Sequence, residues 1–454
     1  MNELNPIYAI SPVDGRYEKQ TEDLRQFFSE YALIKYRIFV EVKWLIKMFG
    51  EFPAFKVEGI NPLSKEEINT LDNIFNLFNE EDALRVKEIE STTKHDVKAV
   101  EYFIREKIEK TSLNRISSFI HFACTSEDIN NLAYGVMIKE ALKNVWKPTA
   151  KELIERVNVF GKETMSVPML AHTHGQPASP TTVGKELLVF VHRWENIINL
   201  IEKSVITGKF SGAVGNYNAH LSAFKELNWV EISKEFVESL GLTHILYTTQ
   251  IEPHDNTAII CNLVKSFNNI NMDFNSDMWL YISMNYFKQK TIKGEVGSSV
   301  MPHKVNPINH ENSMANIRIS NAILNTLADN LPISRMQRDL SDSSMQRNIG
   351  VGFAHSIVSI KQSIIGFEKM VLNEEVLKRD LENNPEVLAE AIQTVLRKNG
   401  YVNAYEMLKD LTRGKRVTLE DILDFIKNLP IPEGDKGTLL EITPETYIGL
   451  ADKL

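Results

Sequence analysis

From His254 to Lys293 the chain runs without a glycine or a proline. Within that stretch Ile260, Val264, Phe267, Ile270, Phe274, Met278 and Tyr281 recur at steps of three and four residues. Such steps return to one face of an α-helix and alternate faces irregularly along a strand. The stripe predicts one helix of about 50–60 Å at a rise of about 1.5 Å per residue. A stripe that long needs neighbours of similar length to cover it. The sequence supplies them. Pro177 to Phe210 carries Leu187, Phe190, Val191, Trp194, Ile197, Ile198 and Ile201 at helical spacing. Asn131 to Thr164, interrupted near Pro148, and Pro307 to Asn330 add two more. The fold class that follows is all-α, with a central bundle of very long helices. Stripes of this length bury more than one neighbour, which points to a helical homo-oligomer.

The 454 residues suffice for about three domains. Texture divides them into an N-terminal helical domain (1–114), the central long-helix bundle (115–367) and a C-terminal helical domain (368–454). Near the end, Asn384-Pro385-Glu386 reads as a helix start and Gly400 as its stop, while Thr418 and Asp421 have capping-box spacing. The net charge of −9 argues against a general nucleic-acid or membrane surface, so an anionic ligand would need a local basic site. Two cysteines, Cys124 and Cys261, give no disulfide framework and no zinc cluster; both read as small buried thiols of a reducing compartment. The N-terminal MNELNPIYAISPVDGRY lacks a basic stretch followed by an apolar one, and no apolar run reaches the ~18 residues of a membrane helix. A cytoplasmic location is expected.

Chemistry concentrates in short segments that break the helical pattern. Gly294 to Asn312 reads GEVGSSVMPHKVNPINHEN. Its glycines admit close backbone approach, and Ser298, Ser299, Lys304 and Asn306 are donors for an anion. Asp14-Gly15-Arg16-Tyr17, Thr92 to Asp96, Cys124 to Asp128 and Ala171 to Pro177 are similarly rich in polar groups. Arg335 to Arg347 adds Arg335, Arg338 and Arg347 with Ser341, Ser343 and Ser344, a set suited to phosphate. Each segment also has a plain structural reading. His172 and His174 are metal ligands or structural histidines, the arginines form a ligand site or a solvated helix face, and His95 with Asp96 forms a site or a local cap.

Taken together the segments resemble a known family. GSSVMPHKVNP matches the loop pattern GSSxMPxKxNP of the fumarase/aspartase superfamily. DGRY, KHDVKAVEYF, HFACTSEDINN, THGQPASP, GAVGNYNAH, YTTQIEPHD, RDLSDSS and LTRGKRV narrow the resemblance to the adenylosuccinate lyase family, from about Ser11 to Ile448. The resemblance implies β-elimination of fumarate from two succinylated purine-pathway nucleotides, with no metal or organic cofactor, in a homotetramer whose sites are shared between subunits. It also implies roles. Ser298 is the base and His174 the acid, supported by Thr173 and Glu311. Lys304 and Asn306 bind the carboxylates and the intermediate. His95 is the second histidine of the site. Thr125, Ser126, Gln250 and Ser299 bind the succinyl part or the base, and Arg16, Tyr17, Arg338, Ser343 and Arg347 bind the phosphate. Lys94, Asp96, Val305 and Asn312 complete the substrate contacts. The chain departs from the family pattern at Lys94 (commonly Asn or Arg), at His172 (often Arg or Ser) and at Val300 (commonly Thr or Ala).

Overall fold

The computed structural model of the chain describes residues 6–50, 53–54, 56–290, 301, 305–412 and 417–454. Within them the apolar steps do become helices. In the first third lie α1 (Glu30–Phe49), α2 (Glu80–Thr93), α3 (Asp96–Ile108) and α4 (Ser126–Ala141). α5 (Lys147–Glu163) leads to a hairpin of β1 (Pro168–Thr173) and β2 (Gln176–Thr182), and α6 (Val183–Lys203) follows. The long helices α7 (Asp255–Ser283), α8 (Ile308–Asn330) and α10 (Ile349–Glu368) come next, with the short α9 (Ser341–Gln346) before the last of them. The architecture is mostly helical, as expected, with three two-stranded sheets among the described residues. No described helix is long and apolar enough to cross a membrane.

Three long-helix expectations need correction. α7 stops at Ser283, because Asn285 turns left-handed (φ +61) and Phe287–Gln289 leaves as a strand paired with Met370–Leu372. Its 29 residues span about 43 Å. The stretch from Pro177 begins as strand, not helix: Pro177 and Pro180 cannot donate, and a residue before proline is pushed from helical to extended backbone. The helix there starts at Val183. The interruption near Pro148 is only a π-helical turn at Leu142–Trp146 between α4 and α5. Proline at 148 removes the donor to the carbonyl four residues earlier, and one wide turn absorbs the defect.

The chain divides into two units, 1–150 with 197–269 and 315–359, and 151–196 with 270–314 and 360–454. In the first, α1 packs on α4, and Trp44 meets Phe210 and Phe236 at ring-centroid distances of 4.5 and 5.1 Å. In the second, Trp194 and Phe190 close on Phe274 at 5.2 and 5.5 Å. Truncating such a buried ring to alanine costs about 3–5 kcal/mol. Farther along, Ile392, Leu396, Ile422, Ile426 and Leu439 form an apolar cluster of their own. The Asn384–Pro385 start, the Gly400 stop (φ +82) and the Thr418–Asp421 capping box stand as the sequence indicates.

α7 also buries a polar edge that its apolar stripe did not announce. Asn268, Asn271 and Asn275 are all fully buried. Asn268 Nδ2 donates to Ser320 Oγ and Asn321 Oδ1, each at 3.0 Å. Asn275 Nδ2 donates to Ser363 Oγ at 2.8 Å and Ser313 Oγ at 3.2 Å, and its Oδ1 meets His310 Nδ1 at 2.8 Å. Polar groups in a helical seam favour one register, because a slip would leave them unpaired.

Candidate active site

In the first unit the ligand-type residues stand on helix ends. His95 is the N-cap of α3: its Nδ1 accepts from Lys98 N at 3.2 Å. Lys94 closes α2 in left-handed conformation (φ 54) and points an exposed side chain outward. So His95 does serve as a local cap, and capping leaves its other ring nitrogen for a ligand. Asp96 Oδ2 receives the buried Arg37 at 2.7 Å and Arg347 NH2 at 3.4 Å. Burial alone would raise the Asp96 carboxyl, but the Arg37 charge and the Val97 N–H outweigh it and hold its pKa low. Arg347 NH1 lies 2.5 Å from Glu30 Oε2. Arg16 is exposed, and the Tyr17 hydroxyl accepts from Asn316 Nδ2 at 3.4 Å.

Thr125 and Ser126 begin α4, whose second and third residues carry buried charges. Asp128 accepts from Thr125 N (2.8 Å), Ser211 N (2.9 Å) and Gly212 N (3.1 Å), and pairs with Lys209 Nζ at 2.8 Å. Both charges are fully buried, so the pair depends on these bonds. The loop before it is held by His121, whose Nδ1 lies 2.6 Å from Glu41 Oε1. Burial would lower the pKa of that imidazole, yet Glu41 and Glu101 raise it. Glu127 Oε2 pairs with Arg338 NH1 at 2.8 Å, while burial pushes the Glu127 carboxyl up. Gln250 sits beside this pair: its N–H reaches Gln337 O at 3.2 Å and its Nε2 reaches Ala213 O at 2.9 Å. Ser343 N donates to Asp342 Oδ1 at 2.6 Å.

The second unit holds His174. β1 and β2 pair with Thr173 opposite Gln176, so His174 and Gly175 are the two residues of the turn. Both have positive φ (+54 and +74), as a tight hairpin turn of matching twist requires. His174 and Thr173 are exposed at that tip. His172 is also exposed, with its ring 6.3 Å from Tyr286. Gln289 Nε2 donates to Val305 O at 3.0 Å, and Asn306 and Asn312 are half-buried. Glu311 accepts from Trp279 Nε1 at 3.2 Å and not from His174. Ser298, Ser299 and Lys304 lie outside the described residues.

The sequence motifs do not announce the buried polar groups behind the helix ends. Arg37, Glu41 and Lys209 fall outside them, and His254 passes unremarked within the YTTQIEPHD segment. No sequence signal singles out Lys209, which stands in the mixed segment Ile206-Thr207-Gly208-Lys209-Phe210. Among the described residues, Glu127, His254 and Asp342 bring ligand-type atoms within 4.8 Å of one another, and His172 and His174 are not part of that group. Arg338 pairs with Glu127 through NH1 and approaches Asp342 through NH2 at 3.4 Å, so a guanidinium occupies the cation's position there. His254 adopts a left-handed backbone (φ +64), a conformation that costs a non-glycine residue about 1–2 kcal/mol.

The family described as Lyase matches residues 15–320, and that described as Adenylosuccinate lyase C-terminal matches residues 334–448. The adenylosuccinate lyase of Buchnera aphidicola subsp. Schizaphis graminum is 49% identical over 453 residues, covering 100% of this chain and 99% of its own. That of Escherichia coli is 49% identical, covering 99% of this chain and 98% of its own. Among solved structures, a fumarate lyase from a Mesorhizobium species aligns with a TM-score of 0.73 at 15% identity, over 95% of this chain and 96% of that one. A 3-carboxy-cis,cis-muconate lactonizing enzyme from Pseudomonas putida gives 0.72 at 17%, over 95% and 94%. These two likenesses establish the fold, and the full-length identity establishes the branch: the chain belongs to the adenylosuccinate lyase family.

Proposed function

We propose that this enzyme eliminates fumarate from adenylosuccinate to give AMP, and from the succinyl-aminoimidazole carboxamide ribotide to give the aminoimidazole carboxamide ribotide. The observation that carries the reading is 49% identity along the whole chain to lyases of that name. In the reaction Ser298 takes the proton from the carbon next to a succinyl carboxylate. The electron pair left behind spreads into that carboxylate, and Lys304 and Asn306 stabilise the resulting dianion. The C–N bond then breaks, its pair goes to nitrogen, and His174 supplies the proton, a task suited to imidazole near neutral pH. Exposure at the hairpin tip supports that role, because the acid must reach a substrate rather than a core. Thr125, Ser126, Gln250 and Ser299 hold the succinyl part or the base, with His95 beside them. Arg16, Tyr17, Arg338, Ser343 and Arg347 hold the phosphate, and Lys94, Asp96, Val305 and Asn312 line the substrate.

The same reading places the enzyme in the cytoplasm as a homotetramer with shared sites. Its free cysteines fit a reducing compartment. Glu311 supports His174 in this reading, alongside the bond it accepts from Trp279. The domain division 1–114, 115–367 and 368–454 belongs to the proposal, and the separate apolar cluster around Ile392 and Ile422 supports its last member. The test is direct. Purified protein is mixed with adenylosuccinate, then with the ribotide, while ultraviolet absorbance and fumarate are followed; no turnover of either refutes the reading. Mixing inactive His174→Ala with inactive Ser298→Ala should restore part of the activity if subunits share sites. Verified mixed tetramers that stay inactive would refute the sharing.

A further inference from the structure

A buried chain of charges lies behind the nucleotide end of the site. Thr207 Oγ1 donates to Glu252 Oε1 at 2.7 Å. Glu252 Oε2 is 3.4 Å from His254 Nδ1, and His254 Nε2 is 3.4 Å from Asp342 Oδ2. Asp342 Oδ1 is 3.4 Å from Arg338 NH2, whose NH1 is 2.8 Å from Glu127 Oε2. Glu252, His254, Asp342 and Glu127 are each at most 5% exposed. The chain touches ligand-type residues at several points. Asp342 Oδ1 also accepts from Ser343 N at 2.6 Å, Glu127 follows Ser126, and Gln250 N donates to the carbonyl of Gln337, next to Arg338.

A protonated imidazole suits the centre of this chain, with a carboxylate facing each ring nitrogen. Its ring nitrogens each lie 3.4 Å from a carboxylate, on opposite sides, its backbone N–H donates to Glu252 Oε2 at 2.8 Å, and its charge joins that of Arg338 in balancing three buried carboxylates. The charged groups facing it are Glu252, Asp342, Glu127 and, beyond Asp342, Arg338. Burial alone would lower its pKa, but Asp342 and Glu252 reverse this and raise it to about 9. It is therefore charged at neutral pH.

We propose that His254 is a positioning residue for substrate binding: by bridging Glu252 and Asp342 it fixes the carboxylate that orients Arg338 toward the substrate phosphate. This rests on the assignment of Arg338 to that phosphate.

A double-mutant cycle on the full enzyme tests it. AMP affinity is measured by calorimetry at pH 7, with KM and kcat for adenylosuccinate, in wild type, His254→Gln, Arg338→Ala and the double variant. Each single change should weaken AMP binding and raise KM by about ten-fold or more, the scale of one charge-assisted hydrogen bond, with kcat changed less than about three-fold. Because His254 acts through Arg338, the double variant should bind AMP no more weakly than Arg338→Ala alone. Additive losses overturn the proposal, as does a kcat loss at unchanged AMP affinity. Undiminished AMP binding in Arg338→Ala overturns the phosphate assignment beneath it instead. If His254→Gln does not fold, Asp342→Asn takes its place in the cycle with the same readings. Wild-type AMP affinity should also fall as pH rises through 9, and a flat profile there overturns the proposal without any substitution.

Discussion

Gly184 anchors the hairpin that carries His174. Its N–H donates to Thr164 O at 3.1 Å, and Val183 N donates to Val167 O at 3.0 Å. A Cβ at position 184 would lie 2.1 Å from Gly161 O, 2.6 Å from Met165 N and 2.7 Å from Met165 Cα. All three are backbone atoms, so no side-chain rotation relieves the overlap. Ordinary contact begins near 3.4 Å, so the end of α5 and the start of α6 must separate by roughly 3.4 − 2.1 = 1.3 Å. Better helix propensity favours alanine by only about 1 kcal/mol, while overpacking typically costs about 1–3 kcal/mol. Gly184→Ala should therefore lose up to about 2 kcal/mol of stability. For His174 in its proposed role as acid the effect on catalysis is larger, because a shift of about 1 Å at a catalytic group can cost about 100-fold. Adenylosuccinate turnover and a urea midpoint give both numbers. Gly434→Ala is the control, since a Cβ there meets nothing within 4 Å and should leave kcat/KM unchanged. Wild-type turnover and midpoint in Gly184→Ala would refute the view that this contact sets the position of His174.

Other perturbations read other parts of the structure. Asp128→Asn leaves Lys209 buried without its counter-charge and should cost about 3–5 kcal/mol in urea denaturation, whereas a loss below about 1 kcal/mol would mean the ammonium finds other partners. Asn275→Leu strips His310 Nδ1 of its partner and should cost about 1–3 kcal/mol for that orphaned group; a neutral or stabilised variant would show that the seam adds no stability. Stability should also fall on both sides of neutrality. Burial lowers the pKa of His220 and His310 to about 4, so between pH 6.5 and 4 the unfolded chain gains protons that the folded one refuses, a loss of about 3 kcal/mol at most for each. His254, raised to about 9, acts oppositely: its contribution is complete below pH 6.5 and disappears as pH rises to 9. Denaturant midpoints across this range should show a dome, and His254→Gln should flatten only its alkaline side.

What could be read from the residues alone separates by the range of the force involved. Helix stripes, the Thr418–Asp421 box and the Asn384–Pro385 start depend on neighbours within one or two turns, so their spacing is written in the chain. Pro177 misled for the same local reason: a proline before an apolar stripe resembles a helix start, and only pairing with β1 shows it as strand. Asn268, Asn271 and Asn275 look like a solvated face until three helices enclose them. The site repeats this division. His95 is legible because its N-cap job is local. His254 is not, because its work is an ion pair with Asp342, far along the chain, and no periodicity records such a partner. A residue type that is costly to bury, held in left-handed backbone, therefore becomes legible only when the charges around it are placed.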